Sequence, residues 1–202
     1  MNTTIVVIVA AIILYKLFPR TVKAVLHTAW YLLTKRNSGK GRDKNTQTVS
    51  DINKEKGDAF EKFVIMQFDP IYFQIREWRS DKIVNGIYAL SNHSPDIEIN
   101  FHLKDFSRHF AIECKYRQRL YKNQVELAKE HQLANYKKFM AERNIPVYIA
   151  LGMGGKPERP MKLFLIPLQD IDSPAMDYKD LLQYERPAQK QFFYNRNMDN
   201  LE

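Results

Sequence analysis

Hydrophobic and polar residues alternate with period two along two nearby runs, DIEINFHL at 96–103 and FAIECKYR at 110–117. Successive side chains of a strand point to opposite faces. Ile97, Ile99, Phe101 and Leu103 therefore share one face, and Asp96, Glu98, Asn100 and His102 the other. In the second run Phe110, Ile112, Cys114 and Tyr116 share a face that Glu113 and Lys115 do not. The segment KDFSR between the runs predicts a turn, so the two strands are expected to form an antiparallel hairpin. Pairing about that turn places Leu103 near His109 and Asp96 opposite 114–116.

Around the hairpin the pattern changes period. Phe60, Phe63, Val64 and Phe68 in DINKEKGDAFEKFVIMQF recur at helical spacing, with Gly57 weakening the first turns. YFQIREW at 72–78 predicts a strand, 121–143 a helix, and PVYIALGM and MKLFLIPL two further strands. Between those last two, LGMGGKPERP has neither a GxGxxG nor a Walker spacing and opens no helix, which predicts a turn rather than a phosphate cradle. The last thirty residues carry no clear period.

The N-terminal part follows other rules. Residues 3–18, TTIVVIVAAIILYKLF, are apolar except for Lys16 and would span about 24 Å as a helix. No basic residue precedes the run and no small-residue cleavage motif follows it, which predicts an uncleaved anchor rather than a signal peptide. Val22, Val25, Leu26, Ala29, Trp30 and Leu33 then repeat at helical spacing. This second stretch could continue the first helix past Pro19, lie in the membrane interface, form the second arm of a hairpin or pack on the globular domain. The expected organisation is a membrane anchor with a juxtamembrane amphipathic segment at 1–36, a polar linker at 37–50 and a catalytic body at 51–202. Because the basic residues follow the apolar run, the positive-inside rule predicts a single-pass protein with its C-terminal body in the cytoplasm.

Charge narrows the partners less than it first suggests. The formal net charge is +8, but the first 45 residues hold eight basic residues against Asp43 alone. Beyond them 23 bases face 22 acids, so the body is nearly neutral and global charge is no argument for nucleic acid. The single cysteine, Cys114, excludes an intramolecular disulfide and a cysteine-held zinc or iron–sulfur cluster. The five histidines show no zinc-ligand spacing.

Local chemistry says more. The hairpin brings Asp96, Glu113 and Lys115 together, two acids and an ammonium at one end of a sheet. Carboxylates held close repel unless a cation lies between them, and oxygen donors of this kind suit Mg²⁺ or Mn²⁺. Such a group fits phosphodiester hydrolysis, with Lys115 positioning a water or neutralising developing charge. Read alone, Lys115 is equally an edge-strand charge, and Glu61 in the first helix a solvated flank residue. Cys114 reads as a small apolar residue facing the core. The run KYRQRLYKNQ, with Arg117, Arg119 and Lys122, is either a phosphate-contacting patch or a solvated helix entry.

Pro95 and Asp96, sixteen intervening residues, and then Glu113, Cys114 and Lys115 resemble the PD-(D/E)XK nuclease superfamily, in its RecB-like and Mrr-like branches. Glu61 looks like the acid of that family's first core helix, and Gln132 to Tyr136 is similar to its QxxxY element. The resemblance covers about residues 51–155. It implies a restriction-endonuclease-like α/β fold, a central mixed β-sheet flanked by helices, here preceded by a transmembrane helix. It implies Asp96, Glu113 and the Cys114 carbonyl as metal ligands, Glu61 reaching the metal directly or through water, and Lys115 as a catalytic residue. Gln132 and Tyr136 would hold nucleic acid, although at i and i+4 they could equally be an exposed helical pair. The expected activity is hydrolysis of DNA with Mg²⁺ or Mn²⁺. The alternative is a catalytically silent nuclease-fold module that binds nucleic acid or a protein partner at the membrane.

Overall fold

The computed structural model describes residues 48–79 and 94–202 and, between these, the backbone of two short paired strands, β2 (Ile83–Val84) and β3 (Ile87–Tyr88). The expected anchor at 1–36 and the linker up to residue 47 lie outside the described residues. Among the described residues no helix is long and apolar enough to cross a membrane.

The first helix, α1 (Val49–Met66), begins two residues ahead of the expected start of the body. Thr48 caps it: its Oγ accepts from the Asp51 amide at 3.2 Å, and the Asp51 carboxylate accepts from the Thr48 amide at 3.2 Å. This reciprocal box satisfies two otherwise orphaned donors. A turn then leads to β1 (Phe73–Trp78), and β4 (Ile97–Leu103) and β5 (Phe106–Arg117) form the expected hairpin. Its register differs from expectation. Leu103 pairs with Phe106 and Ile97 with Ile112, so the turn is only Lys104 and Asp105, with Lys104 in the left-handed region at φ 54°. The remaining residues of the expected longer turn continue the strand because Phe106 has rings to pack on, Phe101 at 6.1 Å and Tyr194 at 6.2 Å.

After β5 the expected long helix is shortened. Lys122 and Asn123 take positive φ, and β6 (Gln124–Glu126) follows, paired with β9 (Ala175–Asp177). Val125 and Leu127 are buried with period two, which explains why this segment is extended. The helix proper, α2 (Glu130–Arg143), ends on Asn144 in the left-handed region. It supplies the crossover that lets β7 (Val147–Lys156) lie parallel to β5. β8 (Arg159–Pro167) returns antiparallel beside β7 as its hairpin partner.

The last thirty residues contribute the short helix α3 (Tyr178–Leu181), the edge strand β10 (Glu185–Arg186) and a small hairpin, β11 (Tyr194–Asn195) with β12 (Asn200–Leu201). The six-stranded sheet has the order β1-β4-β5-β7-β8-β10 and is antiparallel except between β5 and β7. This is a mixed α/β fold with a central, mostly antiparallel sheet flanked by helices.

Two apolar layers hold the sheet. Phe60, Val64 and Ile65 of α1 pack with Ile97, Ile99, Phe110 and Ile112 on one face. Leu133, Tyr136 and Phe139 of α2 pack with Ala111, Ile149 and Leu151 on the other. Gly152 on β7 lies directly under Phe60 of α1: a Cβ there would stand 2.2 Å from the Phe60 ring. Gly152→Ala is therefore expected to destabilise the domain by about 1–3 kcal/mol through overpacking, read as a lower denaturation midpoint. An unchanged midpoint would mean that the ring yields freely.

Candidate active site

Three parts of the chain place the expected site residues. Glu61 comes from α1, next to Phe60. Asp96 stands just before β4, and Glu113 and Lys115 project from β5. Continuing the β4–β5 register brings Asp96 level with Glu113, one position outside the expected 114–116 and still adjacent to it. The Asp96 Oδ2 accepts from the Cys114 amide at 2.8 Å. Lys115 Nζ donates to Glu113 Oε1, and Trp78 Nε1 donates to Glu61 Oε2 at 2.9 Å.

These acids are inside the protein. Glu61 is 8 % exposed, Asp96 2 % and Glu113 0 %, a placement that acids adopt only when partnered or when they coordinate a cation. The half-buried Cys114 thiol reports their field. Burial pushes its pKa well above the ordinary thiol value, and the charges of Asp96, Glu61 and Glu113 push it further, while Lys115 pulls it down. Burial likewise raises Tyr136, followed by the charge of Glu113 and a hydrogen bond to it. All three acids thus act on one point of β5.

A thiol whose pKa lies well above its ordinary value is almost entirely protonated near neutral pH, and only the thiolate attacks an alkylating agent. Cys114, the only cysteine, is expected to react with iodoacetamide at pH 8 at least about tenfold more slowly in the native chain than in urea. Mass spectrometry over time measures this directly. Equal rates would mean that the thiol is neither buried nor set among the acids.

Other expected contacts fall differently. Tyr136 is 1 % exposed and lies beneath the site with its hydroxyl on Glu113 and its ring 6.0 Å from Lys115 Nζ. It supports the acid and the lysine from inside rather than facing outward as half of an exposed pair. The Gln132 Oε1 accepts from the Lys129 amide at 3.1 Å, closing the first turn of α2. Arg117 is engaged with β6, its Nε donating to the Glu126 carbonyl at 3.1 Å. Arg119 and Lys122 are exposed just past the site, and Lys122 Nζ lies 5.4 Å from the Tyr121 ring.

Sequence reasoning missed Trp78, Arg79, Glu98 and His109. Glu98 is 3 % exposed and shares a salt bridge with Arg79, and His109 Nε2 lies 3.1 Å from Glu98 Oε2. A period-two reading does put Glu98 on the same strand face as Asp96. What it could not supply was the partner, because Arg79 follows a different strand.

Among the described residues no three His, Cys, Asp or Glu side chains are drawn together as a ready metal cage. One oxygen of each acid is engaged elsewhere in the protein, by Trp78, by the Cys114 amide and by Lys115. Mg²⁺ does not need such a cage, since it keeps several waters and takes one or two carboxylates. Buried acids and a neighbouring main-chain carbonyl are a donor set that fits it.

The fold and the site together define a mixed α/β domain with an acid-and-lysine centre at one end of its sheet. A solved structure to which the chain is similar is Hjc, a Holliday junction resolvase from the archaeal hyperthermophile Archaeoglobus fulgidus. Identity is 16%, the TM-score is 0.43, and the alignment covers 63% of this chain and 93% of that one. No protein-family model and no curated protein matches the chain.

Proposed function

We propose that this protein is a divalent-metal-dependent nuclease that hydrolyses phosphodiester bonds in DNA, tethered to a membrane by residues 3–18 with its C-terminal domain in the cytoplasm. The observation that carries the nuclease reading is the burial of Glu61, Asp96 and Glu113 around one point of β5, with Lys115 beside them. A binding module has no need of such a cluster, which costs folding stability and is characteristic of functional sites.

Asp96, Glu113 and the Cys114 carbonyl would hold Mg²⁺ or Mn²⁺, with Glu61 reaching it directly or through water. A bound ion of this kind supplies polarisation of the phosphate and acidification of a water. The chain does the rest. Lys115, anchored by Glu113 and backed by the Tyr136 ring, holds an ammonium where the pentavalent phosphate gathers charge. Tyr136 fixes Glu113 from below, and the Cys114 amide fixes Asp96, so both carboxylates are oriented before substrate arrives. Arg119 and Lys122, exposed past the end of β5, would meet the phosphate backbone, as would Arg117 and Gln132.

The test is cleavage of labelled single- and double-stranded DNA and RNA by the full chain in Mg²⁺, in Mn²⁺ and in chelator. DNA is expected to be cut with either metal and spared in chelator. Lys115→Ala is expected to slow cleavage by about 10²- to 10³-fold. Cleavage that survives chelation, or that Lys115→Ala leaves unchanged, would overturn the reading in favour of a silent binding module. The tether is tested separately by alkaline extraction of membranes, in which the full chain should stay in the pellet.

A further inference from the structure

β1 does not pair with β4 in simple register. Ile75 pairs with Ile99, but Glu77 pairs with Glu98 and Trp78 with Ile97, so Arg76 is an extra residue on β1. Such a bulge reverses the alternation of faces beyond it. Without it Trp78 would point away from Ile97's face. With it, Trp78 packs on the α1 side of the sheet beside Ile97, and Arg79 falls on the side of Glu98.

That re-aiming has two results. Trp78 Nε1 meets Glu61 Oε2 at 2.9 Å, fixing the acid that α1 supplies. Arg79 brackets Asp96: its amide donates to the Asp96 carbonyl at 2.8 Å, and its Nη1 donates to the Pro95 carbonyl at 2.8 Å. The guanidinium is itself held by Glu77 and by the buried Glu98. Two consecutive residues on one bulged strand end thus hold two acids that come from elements far apart in sequence.

We propose that Trp78 and Arg79 are positioning residues of the site, setting the Glu61 and Asp96 carboxylates for a divalent cation. This rests on the nuclease reading above. Neither residue takes part in the chemistry. Groups that orient metal-ligating side chains from behind typically change metal affinity by about 10- to 100-fold when lost.

The experiment uses the full chain and Mn²⁺ alone as probe, with binding read by titration calorimetry and cleavage read against Mn²⁺ concentration. Trp78→Phe keeps a flat apolar ring and removes only the N–H donor. Arg79→Lys keeps the charge opposite Glu98 and loses the fork that reaches Pro95. Each is expected to weaken Mn²⁺ binding about tenfold or more and to move half-maximal cleavage to higher Mn²⁺ by the same factor, with the Trp78→Phe rate recovering at saturating Mn²⁺. Tyr194→Phe serves as the control for general destabilisation. It loses a hydrogen bond to Asp199 near the turn end of the β4–β5 hairpin, away from the site, and is expected to lower the melting temperature without moving Mn²⁺ affinity. If the native chain cleaves while Trp78→Phe and Arg79→Lys bind Mn²⁺ as it does, the positioning role is wrong and the nuclease reading stands. If the native chain neither binds Mn²⁺ nor cleaves, both fall together.

Discussion

Asp96→Asn is expected to slow DNA cleavage by about a thousandfold or more, equivalent to about 4 kcal/mol of transition-state stabilisation, without unfolding the domain. The substitution is nearly isosteric, and its amide oxygen can still accept from the Cys114 amide, which Asp96 now does at 2.8 Å. The packing around a side chain that is 2 % exposed is therefore kept. What disappears is one charge of a group whose other members, Glu61 and Glu113, are also buried. Fewer like charges confined together means less repulsion in the absence of metal. The melting temperature in chelator should accordingly hold or rise while Mn²⁺ binding is lost, the trade of stability against function expected of an active site. Single-turnover cleavage, calorimetric Mn²⁺ titration and a melt in chelator measure the three quantities. Full cleavage by Asp96→Asn would remove this carboxylate from the chemistry.

Phe60→Ala should have the largest effect on stability, about 3–5 kcal/mol. The ring is fully buried, stacks on Phe63 at a centroid distance of 5.8 Å, approaches Tyr116 at 6.0 Å and fills the space that Gly152 leaves open. Removing it leaves a cavity between α1 and the sheet, which rigid strands close only in part. Set against a total of about 5–15 kcal/mol for an ordinary domain, the loss is a large fraction of the whole. Because Phe60 precedes Glu61, a loosened α1 also loosens one acid of the site. A coupled test separates this contact from general damage. In a Phe60→Leu background, Gly152→Ala should cost less than it does alone, since the smaller side chain yields to the new Cβ. Urea midpoints for the two single variants and the double variant measure the coupling. Strict additivity would mean that the ring and the glycine are not in contact.

Much of the centre is readable in the chain because strand alternation is a local property. The period-two runs at 96–103 and 110–117 locate the hairpin, and the Asp96, Glu113 and Lys115 triplet follows from it without any knowledge of what packs on either face. The helix carrying Glu61 is readable for the same reason, its apolar spacing agreeing with the residues α1 buries. The register is not. Phe106 joins β5 because Phe101 and Tyr194 stand ready to receive its ring, and Tyr194 belongs to a hairpin almost ninety residues later. The segment before α2 reads as helix in the sequence, yet it forms β6 because β9 offers a partner strand.

The sequence by itself thus determined which residues alternate, which spans turn and which acids stand on one strand face, since these depend on backbone geometry within a few residues. Only the tertiary structure decided the depth of each acid and what holds it. Tyr136 is inside rather than outside because α2 lies against the Glu113 face of the sheet. Trp78 reaches Glu61 because one extra residue in β1 turns the strand end over. Burial and orientation are sums over contacts between distant segments, and no window along the chain contains both partners of such a contact.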